Sequence, residues 1–204
     1  MPHVINHPLA AHALTHLRDK TTAPVTFRTL CYQIGLLLAL EATRDLPTTP
    51  KSIVTPLEAI DSPVLGQGIV VVPILRAGLG MLQPYTDLFP SVSVGYVGLE
   101  RDHKTAVAQS YYCKIPPLEG RRVICVDPML ATGGSAAQAL TVLREKGAQD
   151  LRLVTIVSAP EGIAAIEAQH PDVLIITAAI DRQLNEQSYI VPGLGDFGDR
   201  LYGT

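Results

Sequence analysis

Residues 123–136 read VICVDPMLATGGSA, and the pattern of this stretch indicates the fold class of the chain. A short apolar run stops at Asp127, passes a proline and opens into Thr-Gly-Gly-Ser, which small residues follow. Apolar runs of this length, bounded by turn residues, are typical of buried strands, and the residues that follow have a helical pattern. The stretch therefore predicts a strand at 123–126, a loop, and a helix from about Gly133.

The start of this helix has the features of a phosphate site. Amides of Gly133 and Gly134 are unhindered, first-turn amides have no partner within the helix, and the helix dipole adds partial positive charge. Hydroxyls of Thr132 and Ser135 add donors. Asp127 cannot bind phosphate, but its carboxylate can accept hydrogen bonds from vicinal hydroxyls of a sugar attached to that phosphate. The alternative is an ordinary turn in which Ser135 caps the helix.

Further apolar runs alternate with helical patterns along the chain. Helices are predicted at Ser135–Lys146 and Pro160–Gln169, each ended by a breaking residue. This alternation predicts an α/β fold with a parallel sheet flanked by helices, in which ligands bind at the carboxyl ends of the strands. The other predicted strands are IVVVPIL (69–75), VSVGYVGL (92–99), LRLVTIVS (151–158) and VLIIT (173–177).

The N-terminal part of the chain is predicted to be helical. Apolar residues from Phe27 to Leu38 recur at steps of three and four, which predicts an amphipathic helix at Val25–Arg44. The sequence DLPTTP ends this helix, and Pro56 and the triplet 61–63 indicate turns.

Composition and charge indicate a globular protein without a polynucleotide partner. The chain has 204 residues, of which 47% are hydrophobic, enough for a substantial core in a single domain. Its net charge of -3 provides no overall basic field of the kind that attracts nucleic acid.

Cysteine usage and the length of the apolar runs indicate where the protein resides. Cys31, Cys113 and Cys125 are an odd number at wide spacings, which favours free thiols in a reducing compartment over a disulfide framework. The run Ile34–Leu40 is far shorter than the ~20 residues that cross a bilayer. We therefore predict a cytoplasmic location without membrane contact.

The sequence offers no convincing match to two other phosphate-binding motifs. No G-x-x-x-x-G-K-[ST] run of the Walker type is present. Residues 193–198, GLGDFG, match G-x-G-x-x-G, but only six residues follow, too few for the helix and second half of a dinucleotide-binding unit.

Several motifs together resemble one family. The stretch 123–136 resembles the phosphoribosyl-pyrophosphate (PRPP) loop of type I phosphoribosyltransferases, and its Asp-Pro pair resembles the uracil-specific members of that family. The resemblance extends over nearly the whole chain, in order, through HPL, LRDK, EATRDLP, VPILRAGLGM, APEG, HPDV and YIVPGLGDFGDR.

The resemblance implies one domain, residues 1–204, with a defined internal layout. A long N-terminal helical segment covers about 9–45, the PRPP-binding core about 66–160, and a base-binding loop about 180–204. The C-terminal and N-terminal segments are expected to form a small hood over the sheet.

A second strand end carries the arginine expected to bind pyrophosphate. Arg76 follows the apolar strand directly and precedes Gly78 and Gly80, so a guanidinium and free amides can grip a pyrophosphate there. A surface arginine in a tight turn is the alternative. The resemblance implies catalytic roles for Arg76, Arg101 and Asp127, and PRPP contacts from these three and from Pro128, Met129, Leu130, Ala131, Thr132, Gly133, Gly134, Ser135 and Asp196.

The polar segment Glu100–Ser110 has no core pattern and predicts a mobile flap. The resemblance implies that this flap covers PRPP and excludes water. Arg101 matches the second PRPP arginine of the family. His103 and Lys104 stand where the bacterial pattern has two acids, so this flap is more basic, and His103 is interpreted as a solvated loop residue.

The C-terminal stretch YIVPGLGDFGD is predicted to be a loop that leaves main-chain donors and acceptors for a ligand. Peptide groups can match the edge of uracil and reject an exocyclic amino group. The resemblance implies base contacts from Ile190, Gly195, Asp196 and Phe197, with Tyr189 stacking on the ring. Phe197 stands where many bacterial relatives have alanine.

The predicted activity is transfer of the phosphoribosyl group of PRPP to uracil, giving UMP and pyrophosphate. Mg²⁺ is expected as cofactor, held mainly by PRPP and water without a protein metal site. The resemblance also suggests a GTP effector and a homodimer or higher homo-oligomer. Two alternatives stay open: a nucleotide- or RNA-binding regulator on the same fold, and a transferase for another nucleobase.

Overall fold

The computed structural model describes residues 1–101 and 108–204, and the side chains of these except 100, 101 and 108–111. Its helices are α1 (Pro8–Arg18), α2 (Pro24–Ala42), α3 (Gln83–Leu88), α4 (Gly134–Glu145), α5 (Pro160–Gln169) and α6 (Phe197–Tyr202), with a 3₁₀ turn at Ala77–Met81. Its strands are β1 (His3–Val4), β2 (Thr48–Val54), β3 (Ala59–Leu65), β4 (Ile69–Leu75), β5 (Ser93–Val94), β6 (Tyr96–Arg101), β7 (Ala108–Lys114), β8 (Arg122–Val126), β9 (Met129–Leu130), β10 (Asp150–Ser158), β11 (Leu174–Ile180), β12 (Gln183–Leu184) and β13 (Ile190–Val191).

The largest sheet among the described residues has nine strands. Its order is β1-β11-β10-β8-β4-β6-β7, with β5 beside β4 and β9 beside β10. Every neighbouring pair is parallel except β6 with β7. The carboxyl ends of β4, β8 and β10 therefore lie at one edge, and the predicted α/β class with a parallel sheet flanked by helices is confirmed.

Alternating side chains of the central strands enter two different cores. Val71 of β4 joins a cluster with α1, α2 and α3, whereas Val70 and Val72 join a cluster with α4 and α5. Both faces of the sheet are thus covered, which explains why these strands read as continuous apolar runs rather than as alternating patterns. The predicted strand at 92–99 is interrupted at Gly95, and β5 and β6 keep one register against β4.

The N-terminal helical segment is two helices rather than one. The predicted helix at Val25–Arg44 corresponds to α2, but α1 ends at Arg18 and the chain between them is extended at Ala23 (φ -64°, ψ 149°). The cause is Pro24, which disfavours helical backbone at the preceding residue and suits the first position of a new helix.

An antiparallel hairpin of β2 and β3 was not predicted. Seven residue pairs join the strands, and Pro50 lies opposite Pro63. The turn interpretation of residues 61–63 was wrong, because prolines are accepted in edge strands where no ladder hydrogen bond from their nitrogen is needed. Most side chains of the hairpin are exposed.

Helix α2 is long and apolar enough to cross a membrane, by length and composition alone. Within its most apolar 18 residues, 44% are buried inside the protein. Phe27, Ile34 and Leu38 are fully buried in the core beside the sheet. A core helix satisfies the same criterion, so this property of α2 is weak evidence for a membrane span.

Charged side chains tie the end of α2 to the amino ends of β8 and β10. Asp45 bridges Arg122 and Arg152 with oxygen–nitrogen distances of 2.6 Å each, and Arg122 Nε lies 2.8 Å from Asp150. The two arginine side chains are 6% and 10% exposed, whereas Asp45 is 60% exposed. The hydrogen bonds from Arg152 and Arg122 hold the pKa of Asp45 down to about 2.

We expect Asp45→Asn to lower the free energy of unfolding by about 1–2 kcal/mol at pH 7, because two nearly buried guanidinium groups lose a shared carboxylate whose own exposure weakens the effect. The folded-state pKa lies below the ordinary 3.8, so this contribution is present at neutral pH and is lost as the pH falls from about 4 towards 2. Urea unfolding of wild type and variant across this range measures both effects.

Asp172→Asn is the matched control, since Asp172 is similarly exposed and, among the residues whose side chains are described, forms an ion pair with Arg144 only. This substitution should lower the free energy of unfolding by less than about 1 kcal/mol. Equal costs for the two substitutions would contradict the bridging role of Asp45.

Candidate active site

Two loops meet at the carboxyl edge of the sheet. Strands β4 and β8 pair in parallel with Pro73 opposite Val126, so the loops that follow them start side by side. A Cβ atom on Gly78 would lie 2.6 Å from the Val126 carbonyl oxygen. The 3₁₀ turn after β4 therefore packs directly on the end of β8, which only glycine at position 78 permits.

The loop after β8 forms a cradle at the start of α4. It encloses a cavity of about 110 Å³ lined by Asp127, Met129, Leu130, Ala131, Thr132, Gly133, Gly134, Ser135 and Ala136. Gly133 has a left-handed φ of 83° and precedes the first residue of α4, so the first-turn amides of the helix border the cavity. Of the predicted PRPP residues in this loop, Pro128 lies outside the lining, and its carbonyl accepts hydrogen bonds from Ile156 and Val157.

Helix α5 supports the cradle from behind, through residues to which no role was assigned from the sequence. A Cβ on Gly162 would lie 2.4 Å from the Ala131 carbonyl oxygen, and one on Gly133 would lie 2.9 Å from Ala165 Cβ. The loop and the first turn of α5 are therefore in backbone contact. The APEG motif contains this glycine, so the signal was present in the sequence.

Asp127 lies at the cavity wall, one residue beyond β8. Burial of its carboxyl raises the pKa of Asp127 to about 7, and a hydrogen bond from the Met129 amide works in the opposite direction. The carboxyl group can therefore take either protonation state near neutral pH, and in its ionised form it accepts hydrogen bonds from hydroxyl groups.

Arg76 is exposed and follows β4 directly, as predicted, with a cis peptide bond between Leu75 and Arg76. The Tyr202 hydroxyl donates a hydrogen bond of 3.2 Å to the Arg76 carbonyl, and burial raises the pKa of Tyr202. The C-terminal helix thus holds the backbone of the arginine loop. The side chain of Arg101 and residues His103 and Lys104 lie outside the described residues.

The segment predicted as a flap is partly a hairpin. Strands β6 and β7 pair up to Arg101 opposite Ala108, so several residues interpreted as loop belong to strands. Residues 102–107 between them lie outside the description.

The predicted base loop runs from β13 to α6. Tyr189 is 51% exposed and Ile190 is buried, while Gly195 (φ 82°) is exposed on the loop. Asp196 is exposed and caps α6 by accepting a hydrogen bond of 2.9 Å from the Asp199 amide. The loop therefore offers main-chain groups next to one aromatic side chain.

The ring of Phe197 points into the core. It is 2% exposed and packs edge-on against Phe27 at 5.3 Å between ring centroids. Leu201 and Phe197 also limit the space at Gly80, where a Cβ would lie 2.8 Å from Leu201. Of Phe197, the main chain alone remains for contact with a base, which the sequence resemblance did not distinguish from side-chain contact.

The edge of the sheet combines a cavity bordered by the first-turn amides of α4, a carboxyl group at its wall, an exposed arginine and a neighbouring glycine-rich loop. A nucleotide-forming reaction needs groups of these kinds for phosphate, ribose, pyrophosphate and base. Together with the parallel sheet, they define a phosphoribosyltransferase.

Comparison with known proteins agrees with this class and identifies the family within it. The family described as uracil phosphoribosyltransferase matches residues 4–204. Uracil phosphoribosyltransferases of Clostridium botulinum (strain Eklund 17B / Type B) and Agrobacterium fabrum are 52% and 53% identical, and each alignment covers 98% of this chain and 97% of the relative. The chain belongs to the uracil phosphoribosyltransferase family, as the sequence motifs predicted.

Solved structures support the fold. A protein of Aquifex aeolicus superimposes with a TM-score of 0.95 at 36% identity, covering 100% of this chain and 99% of the other. A hypoxanthine-guanine phosphoribosyltransferase from Bacillus anthracis has a TM-score of 0.55 at 14% identity, over 78% of this chain and 80% of that one, which concerns the fold alone.

We expect Gly162→Ala to weaken binding of ribose 5-phosphate by more than about tenfold, because the added methyl displaces the Ala131 carbonyl and with it the cradle. Isothermal titration calorimetry measures this affinity. Gly68→Ala is the matched control, since its Cβ would make ordinary contacts no closer than 3.5 Å. A folded Gly162→Ala protein with wild-type affinity would show that the cradle does not depend on this contact.

The raised pKa of Asp127 has a measurable effect on stability. Because the folded-state pKa of about 7 exceeds the ordinary 3.8, the unfolded state releases its proton first as the pH rises. The stability of wild type relative to Asp127→Asn should therefore fall between pH 4 and about 7 and then stay constant. Carboxyl-carbon NMR of the ligand-free protein should show one resonance titrating near 7 that the variant lacks; its absence would contradict the shift.

Proposed function

We propose that the chain transfers the phosphoribosyl group of PRPP to uracil, releasing pyrophosphate and forming UMP, through the two loops at the carboxyl edge of the sheet. The observation that carries this proposal is the cavity between Asp127 and the start of α4, bordered by first-turn amides that have no partner within the helix. Residues 1–204 act as one unit in this proposal, with the base loop and α1 forming the hood.

The cradle binds the ribose 5′-phosphate. Amides of Gly133, Gly134 and Ser135 donate hydrogen bonds to phosphate oxygens, and the dipole of α4 favours the negative charge. Asp127 accepts hydrogen bonds from the ribose 2′ and 3′ hydroxyls in its ionised form. This pairing fixes the sugar with C1′ facing the loop after β4.

Arg76 binds the pyrophosphate group of PRPP. It stands next to the cradle because β4 and β8 are neighbours, and its guanidinium can hold two oxygens at once. As the bond between C1′ and the pyrophosphate oxygen breaks, negative charge grows on the leaving group, and Arg76 and Arg101 stabilise that charge. Uracil N1 forms the new bond to C1′ from the opposite face of the ribose and gives up its proton, which the departing pyrophosphate or water can accept.

Mg²⁺ fits this site as a companion of PRPP. The described part of the chain contains no group of three or more His, Cys, Asp or Glu side chains that could hold a metal. Mg²⁺ does not require such a group, because it keeps several waters and binds substrate phosphates together with at most one or two carboxylates. When bound, it would neutralise charge on the leaving pyrophosphate.

The loop from Ile190 to Phe197 binds uracil. Peptide groups of Ile190, Gly195 and Phe197 pair with the carbonyl and N–H groups of the base, and Tyr189 covers its ring. A base with an exocyclic amino group would place a donor against a donor, so discrimination is strong.

Three further properties belong to the same proposal. A homodimer or higher oligomer is supported by exposed apolar side chains on the β2–β3 hairpin, among them Val54 and Leu57 at 83% and 95% exposure. A cytoplasmic location is supported by the free state of Cys31, Cys113 and Cys125. A GTP effector is proposed from the family resemblance alone.

The reaction is tested by incubating the protein with PRPP, Mg²⁺ and labelled uracil, alone and with excess cytosine or hypoxanthine. We expect UMP as the product and a preference for uracil of at least about 10³ over either competitor. Transfer to hypoxanthine at a comparable rate would replace the proposal with a purine enzyme, and RNA binding without UMP formation would replace it with a regulator.

Arg76→Ala should reduce kcat/KM for PRPP by about 10²–10³, because the leaving group loses a fixed positive charge. Arg44→Ala is the control: this arginine is 74% exposed and pairs with Glu41 on α2. A folded Arg76→Ala enzyme with wild-type turnover would refute the role of this residue.

A further inference from the structure

Arg18, at the end of α1, is attached to the proposed base loop. Its Nη1 and Nη2 atoms lie 2.7 and 2.5 Å from the two carboxylate oxygens of Asp181, and Nη1 also donates a hydrogen bond of 2.7 Å to the Gly193 carbonyl. Asp181 follows β11 directly and is anchored there by a hydrogen bond from its amide to the Ser158 carbonyl at 2.8 Å. Arg18 thus links a helix, the edge of the sheet and the loop.

Gly193 has both of its main-chain groups bound in this network. Its amide donates a hydrogen bond of 2.8 Å to Asp181, and its carbonyl accepts from Arg18. With φ at 59° and a hypothetical Cβ only 2.1 Å from the Ile190 carbonyl oxygen, this position accepts glycine alone. The position and orientation of the peptide groups at 193 are therefore determined by two charged side chains.

The burial of the pair makes this restraint strong. The side chain of Asp181 is 5% exposed and that of Arg18 is 24% exposed, so neither exchanges freely with water. Hydrogen bonds to charged groups contribute more than neutral ones, and removal of one partner leaves the other charge buried without compensation.

A second arginine acts on the next residue of the loop. Arg200, on α6, donates hydrogen bonds to the carbonyls of Leu194 (2.8 Å) and Asp19 (2.5 Å) and to that of Leu17. The carbonyls of two consecutive loop residues, 193 and 194, are thus bound by arginines, and both arginines contact the end of α1. The proposed contacts at 190 and 195 flank this held pair.

We propose that Arg18 is a positioning residue for the base: acting through Asp181 and Gly193, it holds the loop so that peptide groups at 190 and 195 meet the edge of the pyrimidine. This inference rests on the proposed function. Main-chain recognition needs donors and acceptors held to within about 0.5 Å, and a loop with two glycines does not provide that stiffness itself.

The test measures both substrates separately in Arg18→Ala, Arg18→Lys and Asp181→Asn. We expect KM for uracil to rise at least about tenfold in Arg18→Ala, with KM for PRPP within about twofold of wild type. Arg18→Lys should be intermediate, because an ammonium group cannot reproduce the paired contacts of the guanidinium. In the double variant Arg18→Ala/Asp181→Asn, KM for uracil should rise little more than in the more strongly affected single variant, since both residues act through one network.

Arg144→Ala is the matched control. Arg144 is 27% exposed, pairs with Asp172 and donates to the carbonyls of Ala148 and Gln149, so it makes the same kinds of contact outside the site. It should leave KM for uracil unchanged. A purely structural role of Arg18 would instead lower Tm and affect both substrates alike.

The outcomes separate this inference from the function on which it rests. If wild type forms no UMP, the proposed function fails and the inference fails with it. Suppose that wild type forms UMP. The inference alone is then overturned if folded Arg18→Ala retains the wild-type KM for uracil, or if its KM values for uracil and for PRPP rise equally. If Arg18→Ala does not fold, Arg18→Lys and Asp181→Asn decide by the same comparison.

Discussion

The parallel pairing of β4 with β8 is the constraint on which the site depends. It places the ends of two strands about one strand spacing apart, roughly 4.8 Å, and so brings together loops whose sequences are 50 residues apart. The close contact of Gly78 with the Val126 carbonyl then packs the first loop on the second strand. The topology therefore places the two loops of the candidate site side by side before any side chain is considered.

The two edges of the sheet use charge in opposite ways. At the amino edge, Asp45, Arg122 and Arg152 satisfy one another, so this end of the fold is fixed by internal ion pairs. At the carboxyl edge, helix amides and Arg76 are available to a ligand. The internal ion pairs and the proposed binding groups are thus at opposite ends of the same strands, and ligands of open α/β sheets bind at the carboxyl ends.

Much of the fold could be predicted because it depends on local patterns. Continuous apolar runs predicted the buried strands, and Thr-Gly-Gly-Ser after Asp127 predicted the cradle. The β2–β3 hairpin could not be predicted in this way, because Pro50 and Pro63 resemble turn residues until they are seen opposite each other on edge strands. The contacts of Arg18 with Asp181 join residues 163 positions apart, and no local pattern reveals them.

The orientation of Phe197 has a consequence for how this site can change. Its ring belongs to the core with Phe27, while its peptide group begins α6 at the end of the loop, so substitutions there would alter packing more than the path of the main chain. If the base is bound through peptide groups, as proposed above, most single substitutions in the loop would leave that recognition in place. A new preference for a larger base would require an altered loop length or path, a rarer event than the exchange of one side chain.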